Sequence, residues 1–195
     1  YMGKKGDLQR IKVIESASYC LAYFGEKGTT FQVISEHSKL SQASVVKYLK
    51  SKDNIFPEVL NYWVTRARDV TEKAIDPNLS GEQKLRNYLK VSYDLFFESH
   101  EISMTIMTLH YLAGVEEKYR VINSQIKDVA QDRIGKMIEE GIMDGSFKKT
   151  NVKLAAKTIH NSLNGYLLSS IAEIKKPIDL QVPAALEDMC IKFLK

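Results

Sequence analysis

Residues 29–53, TTFQVISEHSKLSQASVVKYLKSKD, hold two short apolar segments on either side of a tight turn. Thr30 and Ser41 are each placed to cap the amino end of a short helix. Between them, Ser38-Lys39-Leu40 interrupts the helical pattern. The apolar positions of the two helices are Phe31, Val33, Ile34, Val45, Val46 and Leu49. This stretch therefore predicts a helix, a tight turn and a second helix.

The residues upstream predict a longer helix that packs beside this pair. Apolar side chains recur there at helical spacing, which predicts a helix over 7–24 that is closed by Gly25 and Gly28. These apolar positions are Leu8, Ile11, Ile14, Ala17, Leu21 and Phe24. A helix followed by two short helices with a tight turn between them is the arrangement of a three-helix DNA-binding head. We therefore predict a helix-turn-helix domain over residues 1–51.

Residues 52–195 predict six further helices and no strand. A helix that starts near 52–53 ends before the turn signal Asp76-Pro77, and Ser80 caps the next one. The remaining helices are predicted over 101–113, 116–140, 151–174 and 182–194, and the eighth is ended by Lys176-Pro177. The fold class is thus all-α with about nine helices, in which a second domain over 52–195 follows the head.

The net charge of the chain is concentrated in the predicted head. Residues 1–53 hold 9 basic and 5 acidic side chains, whereas residues 54–195 hold 19 of each, so the whole excess of +4 lies in the first part. No acidic residue lies between Glu36 and Asp53, where four lysines fall: Lys39, Lys47, Lys50 and Lys52. A local basic patch on a neutral body favours a polyanion as partner, although a solvated lysine face would give the same pattern.

The sequence gives little support for several other classes of protein. Uncharged stretches such as 102–115 are too short to cross a bilayer, which needs about 20 apolar residues. Cys20 and Cys190 lie far apart on apolar helical stripes, so we expect both to be buried rather than paired. The four histidines show no metal-ligand spacing, and no catalytic motif is present. We expect a cytoplasmic protein without metal, cofactor or membrane contact, and not an enzyme.

The head positions resemble the TetR family, the tetracycline-repressor-like bacterial transcription regulators. The family pattern runs A-x-x-x-F-x-x-x-G, T-T/S, I-A, G-V-S and Y-F-x-S-K-E. The matching residues here are Ala17, Leu21 and Gly25, then Thr29-Thr30, Ile34-Ser35, Lys39-Leu40-Ser41 and Tyr48-Leu49-Lys50-Ser51-Lys52-Asp53. Val46 replaces a usual tyrosine, and Lys39 replaces the usual turn glycine. A lysine in that turn either avoids positive φ or adopts it at a cost of about 1 kcal/mol in conformational energy.

The second short helix supplies the candidate DNA contacts. Gln42 can pair with adenine, Lys47 with guanine, and Ala43 can touch a thymine methyl. Ser44 is a further exposed candidate on this helix. The residues expected to hold phosphates, which position the helix without reading sequence, are Thr30, Ser41, Tyr48 and Lys52. The alternative for the polar residues is that they act only as caps or as solvated surface.

The resemblance also implies a small effector bound among the later helices. Methionine and aromatic side chains give adaptable apolar walls, and a few polar groups fix the orientation of a ligand. The candidates are Tyr93, Phe97, Met104, Met107, His110, Tyr111, Asn161 and Asn164. His110 and Asn161 stand out because a buried polar group requires a partner. The alternative is that most of these side chains are ordinary core.

The last two predicted helices are candidates for a dimer interface. The eighth is apolar on more than one side, whereas a peripheral helix needs only one apolar face. The candidate interface residues are Ile159, Leu163, Leu167, Ile171, Leu186, Met189 and Phe193. The resemblance implies that two helices from each subunit form a four-helix interface, and a wholly intramolecular core is the alternative.

Together these features predict a homodimeric transcription regulator that responds to a ligand. It would be a repressor that a small, largely apolar effector releases from a palindromic operator in double-stranded DNA. The alternative is an all-helical interaction or ligand-sequestering protein that has lost DNA binding.

Overall fold

The computed structural model describes residues 4–171 and 181–195, and within these ranges it contains nine α-helices and no strand. The helices are α1 (Lys4–Gly28), α2 (Phe31–Ser38), α3 (Gln42–Leu49), α4 (Ile55–Lys73), α5 (Gly81–Glu98), α6 (His100–Val115), α7 (Glu117–Met143), α8 (Val152–Ser170) and α9 (Gln181–Leu194). A short 3₁₀ turn, Lys52–Asn54, precedes α4. The predicted all-α class is confirmed. The predicted end of the eighth helix at 174–177 lies outside the described residues.

The helix caps lie where the sequence predicts them. The Thr30 hydroxyl accepts a hydrogen bond from the Val33 amide, and the Ser41 hydroxyl accepts one from the Ser44 amide, both at 3.2 Å. Ser80 forms a capping box with Gln83 at the start of α5. Each cap satisfies an amide that has no partner within its own helix. Local sequence thus sets where α2, α3 and α5 begin.

Gly25 interrupts α1 at the end of its apolar stripe. Its φ of 66° and ψ of −179° are accessible to glycine and are strained for any other residue. The carbonyl of Gly25 then accepts hydrogen bonds from the Thr29 hydroxyl at 2.7 Å and from the Thr29 amide at 3.1 Å. This turn directs the chain from α1 into α2.

The core of the head extends beyond residue 51. Ile14 on α1, Ile34 on α2 and Val45 on α3 are at most 1% exposed and pack together. Ile55 and Val59 on α4 belong to the same cluster and are 3% and 0% exposed. The predicted boundary between 51 and 52 therefore divides a continuous core, because the first turns of α4 pack with the head.

The second core is formed by α5, α7, α8 and α9. Leu85 and Leu89 on α5 pack against Ile134 and Ile138 on α7, and all four side chains are fully buried. Cys190 on α9 contributes to this core, and Cys20 on α1 is buried in the head, so both cysteines are buried as predicted.

The same core corrects part of the interface prediction. Ile159, Leu163 and Leu167 on α8 are only 1%, 4% and 6% exposed within a single chain, where they pack in the cluster of α5, α7, α8 and α9. Side chains that are already buried in their own protomer have no surface left for a partner. The expectation that these three residues lie at a dimer interface is wrong, because their stripe is the inward face of α8.

Gly81 and Gly141 bring α5 and α7 into close contact, and we expect Gly81→Ala to destabilise the protein. A Cβ atom at position 81 would lie 2.2 Å from the Gly141 nitrogen and 2.6 Å from the Met137 carbonyl oxygen. Backbone atoms cannot move aside as a flexible side chain can, so we expect a loss of roughly 1–3 kcal/mol in the free energy of unfolding. Urea unfolding followed by circular dichroism measures it.

Gly114→Ala is the matched control, since a Cβ there meets nothing within 4 Å. That change should leave stability equal or raise it by roughly 0.5–1 kcal/mol, because alanine favours the helix over glycine. Equal urea midpoints for Gly81→Ala and the wild type would show that α5 and α7 are not packed this tightly.

Candidate nucleic-acid interface and effector site

The outward face of α3 carries the residues predicted to read bases. Gln42, Ala43 and Lys47 are exposed, and Ser44 is half-buried, whereas Val45 and Leu49 are fully buried on the opposite side. This orientation follows from the apolar positions of α3, which turn toward α1 and α2. The polar residues are therefore available to a ligand outside the head.

The residues predicted to contact phosphates occupy different environments. Thr30 and Ser41 are exposed, although their hydroxyls already cap α2 and α3. Lys52 is exposed at the start of the 3₁₀ turn. Tyr48 is only 8% exposed, and its hydroxyl donates to the Gly6 carbonyl at 3.2 Å. Tyr48 thus ties α3 to α1, and the expectation that it grips phosphate is not supported by its placement.

Lys39 lies in the turn before α3 and Lys50 in the turn after it, and both residues have a positive φ. Their φ values are 54° and 64°, in a region that costs an ordinary residue about 1 kcal/mol or more. The sequence left open whether Lys39 avoids this region, and it does not. Two lysines are therefore retained at strained positions where glycine would fit better, and such strain is found most often at functional sites.

The basic patch remains open to solvent in the folded head. Its four lysines, Lys39, Lys47, Lys50 and Lys52, are all exposed, and none forms an ion pair with another residue in the described ranges. The Lys47 ammonium lies 5.2 Å from the centroid of the Tyr48 ring. Unpaired cations beside an exposed polar helix face suit a polyanion such as the DNA backbone.

The predicted effector residues do not form a single pocket. Tyr93 and Phe97 on α5 pack with Tyr166 on α8, where the Tyr93 and Tyr166 ring centroids are 5.7 Å apart. Tyr93 is 5% exposed, and its hydroxyl finds no hydrogen-bond partner among the described residues. Met107 is 47% exposed on α6. These placements divide the set between core and surface.

A polar pair on α8 includes a residue, His160, that the sequence does not single out. His160 is 6% exposed, and the Asn164 amide nitrogen lies 3.3 Å from its Nε2 atom. Burial lowers the pKa of His160, a side-chain hydrogen bond with Asn161 opposes this, and nearby Lys127 and His110 lower the pKa further. His110 is half-buried with its Nδ1 atom 2.9 Å from the Ile106 carbonyl oxygen.

Asn161 is exposed, so the expectation that it is a buried polar group is wrong. The helical period places Asn161 on the outer side of α8, while its neighbour His160 points inward. The apolar residues near His160 and Asn161 in the sequence do not indicate which of the two side chains is buried.

A cavity of about 280 Å³ lies where the head meets the body. It is bordered by the end of α1, the start of α4, α6 and the start of α7, and we call it the junction cavity. Two predicted effector residues, Met104 and Tyr111, line it. The other lining side chains include Leu21, Glu26, Ile55, Phe56, Leu112 and Tyr119. Sequence periodicity marks most of these as core positions and gives no sign that they surround a space.

The outer face of α9 is apolar and exposed. Val182, Met189 and Phe193 are 44%, 53% and 55% exposed, and Leu186 is half-buried beside them. Ile171, the last predicted interface residue, is also half-buried. Cys190 and Ile191 on the opposite side of α9 pack into the core. Two of the predicted interface residues, Met189 and Phe193, therefore lie on an open surface.

Metal-ligand clusters and membrane-spanning helices are both absent from residues 4–171 and 181–195. These residues contain no group of three or more histidine, cysteine, aspartate or glutamate side chains placed to hold a metal ion. None of their helices is both long and apolar enough to cross a membrane.

Comparison with known proteins finds its matches among solved structures. No family model and no curated protein matches the sequence. A TetR transcription regulator from Haloarcula marismortui superimposes with a TM-score of 0.81 at 16% identity, over 96% of this chain and 97% of that one. The chain has the TetR-family fold. The match covers 96% of the chain, well beyond the N-terminal motif that carries the sequence resemblance.

Two other solved structures share this TetR fold at similarly low identity. The fatty acid degradation regulator FadR from Bacillus halodurans matches with a TM-score of 0.78 at 13% identity, over 98% of this chain and 96% of that one. The TetR family transcriptional regulator PfmR from Thermus thermophilus matches with a TM-score of 0.72 at 19% identity, over 94% and 98%. The resemblance predicted from the head is therefore confirmed at the level of the fold.

Proposed function

We propose that this chain is a DNA-binding transcription regulator and that it acts as a homodimeric repressor. The observation that carries the proposal is the exposed face of α3 beside the basic patch, on a chain with the TetR fold. Gln42, Ala43 and Lys47 would meet base edges in the major groove. Lys52 and the hydroxyls of Thr30 and Ser41 would hold phosphates on either side.

The helix α4 is suited to couple the two parts of the chain. Its first half is joined to the head, where Arg10 pairs with Glu58 at 2.8 Å and the Trp63 indole donates to the Ser18 hydroxyl at 2.8 Å.

Its second half is joined to the body, since Arg66 pairs with Glu98 on α5 and Arg133 on α7 donates to the Thr71 hydroxyl at 2.6 Å. A change in the body that moves the second half of α4 would therefore reach the head. We propose that a small, largely apolar effector acts in this way to release a palindromic operator.

The dimer would form through α8 and α9. A two-fold interface uses the same patch on both subunits, and the exposed Met189 and Phe193 supply an apolar patch of this kind. The outer face of α8 beside it carries small or short side chains, including Thr158, Gly165 and Ser169. A Cβ at Gly165 would meet nothing within 4 Å, so a partner helix has room to approach there.

One observation favours the alternative of an interaction or ligand-sequestering protein. Val46 is 40% exposed on α3, so an apolar side chain lies on the proposed DNA-facing side where the resembled family has a tyrosine. An electrophoretic shift with upstream genomic DNA separates the two functions. A regulator should shift a specific fragment, whereas failure to bind any sequence at moderate salt would favour sequestration.

The residues that read bases and those that hold phosphates should respond differently to substitution. Gln42→Ala or Lys47→Ala should cost roughly 1–3 kcal/mol on the operator and relax the preference at one base pair. Lys52→Ala should weaken binding to all DNA about equally and lower the salt slope by about one unit. A phosphate is present at every step, whereas a bond to a base edge requires the right base.

Salt titrations with operator and random duplex make this comparison for each variant. Lys12→Ala is the matched control, since Lys12 is an exposed lysine of the head that lies on α1 and is not one of the four lysines of the basic patch. A changed sequence preference for Lys52→Ala, with none for Gln42→Ala and Lys47→Ala, would reverse the assignment of the α3 face.

A further inference from the structure

Apolar and aromatic side chains make up part of the lining of the junction cavity, together with Thr29, Thr105 and Thr108. Ile55 and Phe56, at the start of α4, are 3% and 9% exposed, and Tyr119 on α7 is 4% exposed. The Phe56 and Tyr119 rings meet edge to face, with centroids 5.6 Å apart. A volume of about 280 Å³ lies just below the usual range of roughly 300–1,000 Å³ for small-molecule pockets. The space therefore suits a compact ligand with an apolar or aromatic body.

Charged side chains line the cavity near Tyr119. The Lys118 ammonium lies 4.7 Å from the centroid of the Tyr119 ring and 3.2 Å from the Glu116 carboxylate. Burial raises the pKa of the Tyr119 phenol, Lys118 opposes this, and the charges of Glu116 and Glu26 add to the rise. The Lys118 ammonium thus lies over the Tyr119 ring with Glu116 beside it, and Glu26 lines the same cavity.

The charges of the residues that line the cavity do not balance. Glu26, Glu116 and Lys118 together carry one excess negative charge. The other two charged residues lining the cavity, Lys52 and Asp53, are neighbours in sequence and offset each other. The Lys118 side chain is 61% exposed, so it can leave the ring for solvent at little cost. The face of the Tyr119 ring is now occupied by the flexible Lys118, with carboxylates nearby. Such a face is chemically suited to bind a cation from solvent.

We propose that the junction cavity binds a small organic cation with an apolar or aromatic body. Its charged end would rest on Tyr119 between Glu26 and Glu116, where Lys118 now lies, and its body would fill the space beside Phe56. This site is separate from the aromatic cluster of Tyr93 and Phe97 between α5 and α8.

The position of the cavity gives its ligand a route to the DNA-binding surface. Its walls come from α1 and the start of α4 on the head side and from α6 and α7 on the body side. Lys52, a proposed phosphate contact, lines the same cavity. A ligand that contacts both parts would favour one arrangement of the head relative to the body. Binding of the ligand would then change the affinity of the protein for DNA, and binding of DNA would change its affinity for the ligand by the same factor. This consequence rests on the proposed function, whereas the binding itself does not.

Calorimetric titration of the whole protein, without DNA, with benzyltrimethylammonium tests the binding. Its neutral isostere neopentylbenzene and the anion 3-phenylpropanoate have similar apolar bodies and serve as comparison ligands. We expect saturable binding of the cation at one site per chain and markedly weaker binding of the other two. Lys118→Ala should bind the cation about tenfold more tightly, because the Tyr119 face is freed.

Glu26→Gln combined with Glu116→Gln should weaken cation binding about tenfold. Glu117→Gln is the matched control, since this carboxylate pairs with Arg120 and does not line the cavity, and its affinity should be unchanged. Glu26 and Lys118 are exposed and Glu116 is half-buried, so these variants should fold. Equal binding of the neutral isostere, or an unchanged affinity in Lys118→Ala, would overturn the proposal.

The link to DNA is measured separately, by titrating operator duplex with and without saturating benzyltrimethylammonium. A shift in operator affinity in the wild type that is lost in the Glu26→Gln, Glu116→Gln variant supports the link. Cation binding without any such shift would leave the site established and contradict its regulatory role.

Discussion

A protein in which Met189 and Phe193 are both replaced by glutamate should be a folded monomer that has lost at least about 100-fold of its affinity for operator DNA. Both side chains are more than half exposed in the single chain, so charge there does not disturb its core. It would place four carboxylates on facing copies of the same patch, where a two-fold interface brings them together. Each head would then bind a half-site alone. Light scattering and operator titration measure the two effects.

Val129→Glu is the matched control, because Val129 is an apolar residue on α7 that is 58% exposed. This variant should remain a dimer with unchanged operator affinity. If the Met189 and Phe193 double variant still scatters as a dimer, the interface does not use the outer face of α9.

Leu163→Glu should behave in the opposite way and unfold the body. Leu163 is 4% exposed within one chain and packs in the core of α5, α7, α8 and α9. The substitution removes a buried aliphatic side chain and buries a carboxylate without a partner, so we expect a loss of at least about 3 kcal/mol of stability. Thermal unfolding followed by circular dichroism should show a melting temperature far below that of the wild type.

Thr158→Glu is the control on the same helix, since Thr158 is exposed on the outer face of α8. When Thr158→Glu is introduced into the monomeric Met189→Glu, Phe193→Glu protein, the melting temperature should not change. A stably folded, monomeric Leu163→Glu protein would instead return Leu163 to the dimer interface and contradict its place in the core.

The head could be predicted from sequence because its signals are local. Thr30 and Ser41 each cap a helix within three residues of themselves, and Gly25 permits a backbone turn that other residues resist. The burial of Val45 and Leu49 follows from helical spacing alone. Such features are decided by a few neighbouring residues, so one sequence is enough to place them.

The placement of α8 could not be predicted in the same way. Its apolar stripe at Ile159, Leu163 and Leu167 is compatible with a partner subunit or with the chain's own core, and periodicity does not distinguish the two. The decision depends on where α5 and α7 pack, which is set by distant contacts such as the close approach of Gly81 and Gly141. The exposed apolar face proved to lie on α9 instead.

The candidate effector residues divide for a related reason. Tyr93 and Phe97 fill a core, while Met104 and Tyr111 line the junction cavity. Methionine and aromatic side chains occur in both settings, so composition alone does not separate them. The cavity also depends on Phe56 and Tyr119, which come from helices that no local pattern brings together.

Selection of duplexes from a random-sequence pool by the purified protein tests the proposed DNA-binding function most directly. We expect enrichment of one sequence with two inverted half-sites whose centres are about 10 base pairs apart, or a multiple of that spacing, as two recognition helices on a dimer require. Binding to it should weaken steeply as salt is raised. Repeated selection at moderate salt that enriches no sequence, from a protein that is folded and dimeric, would contradict the assignment of α3 as a recognition helix.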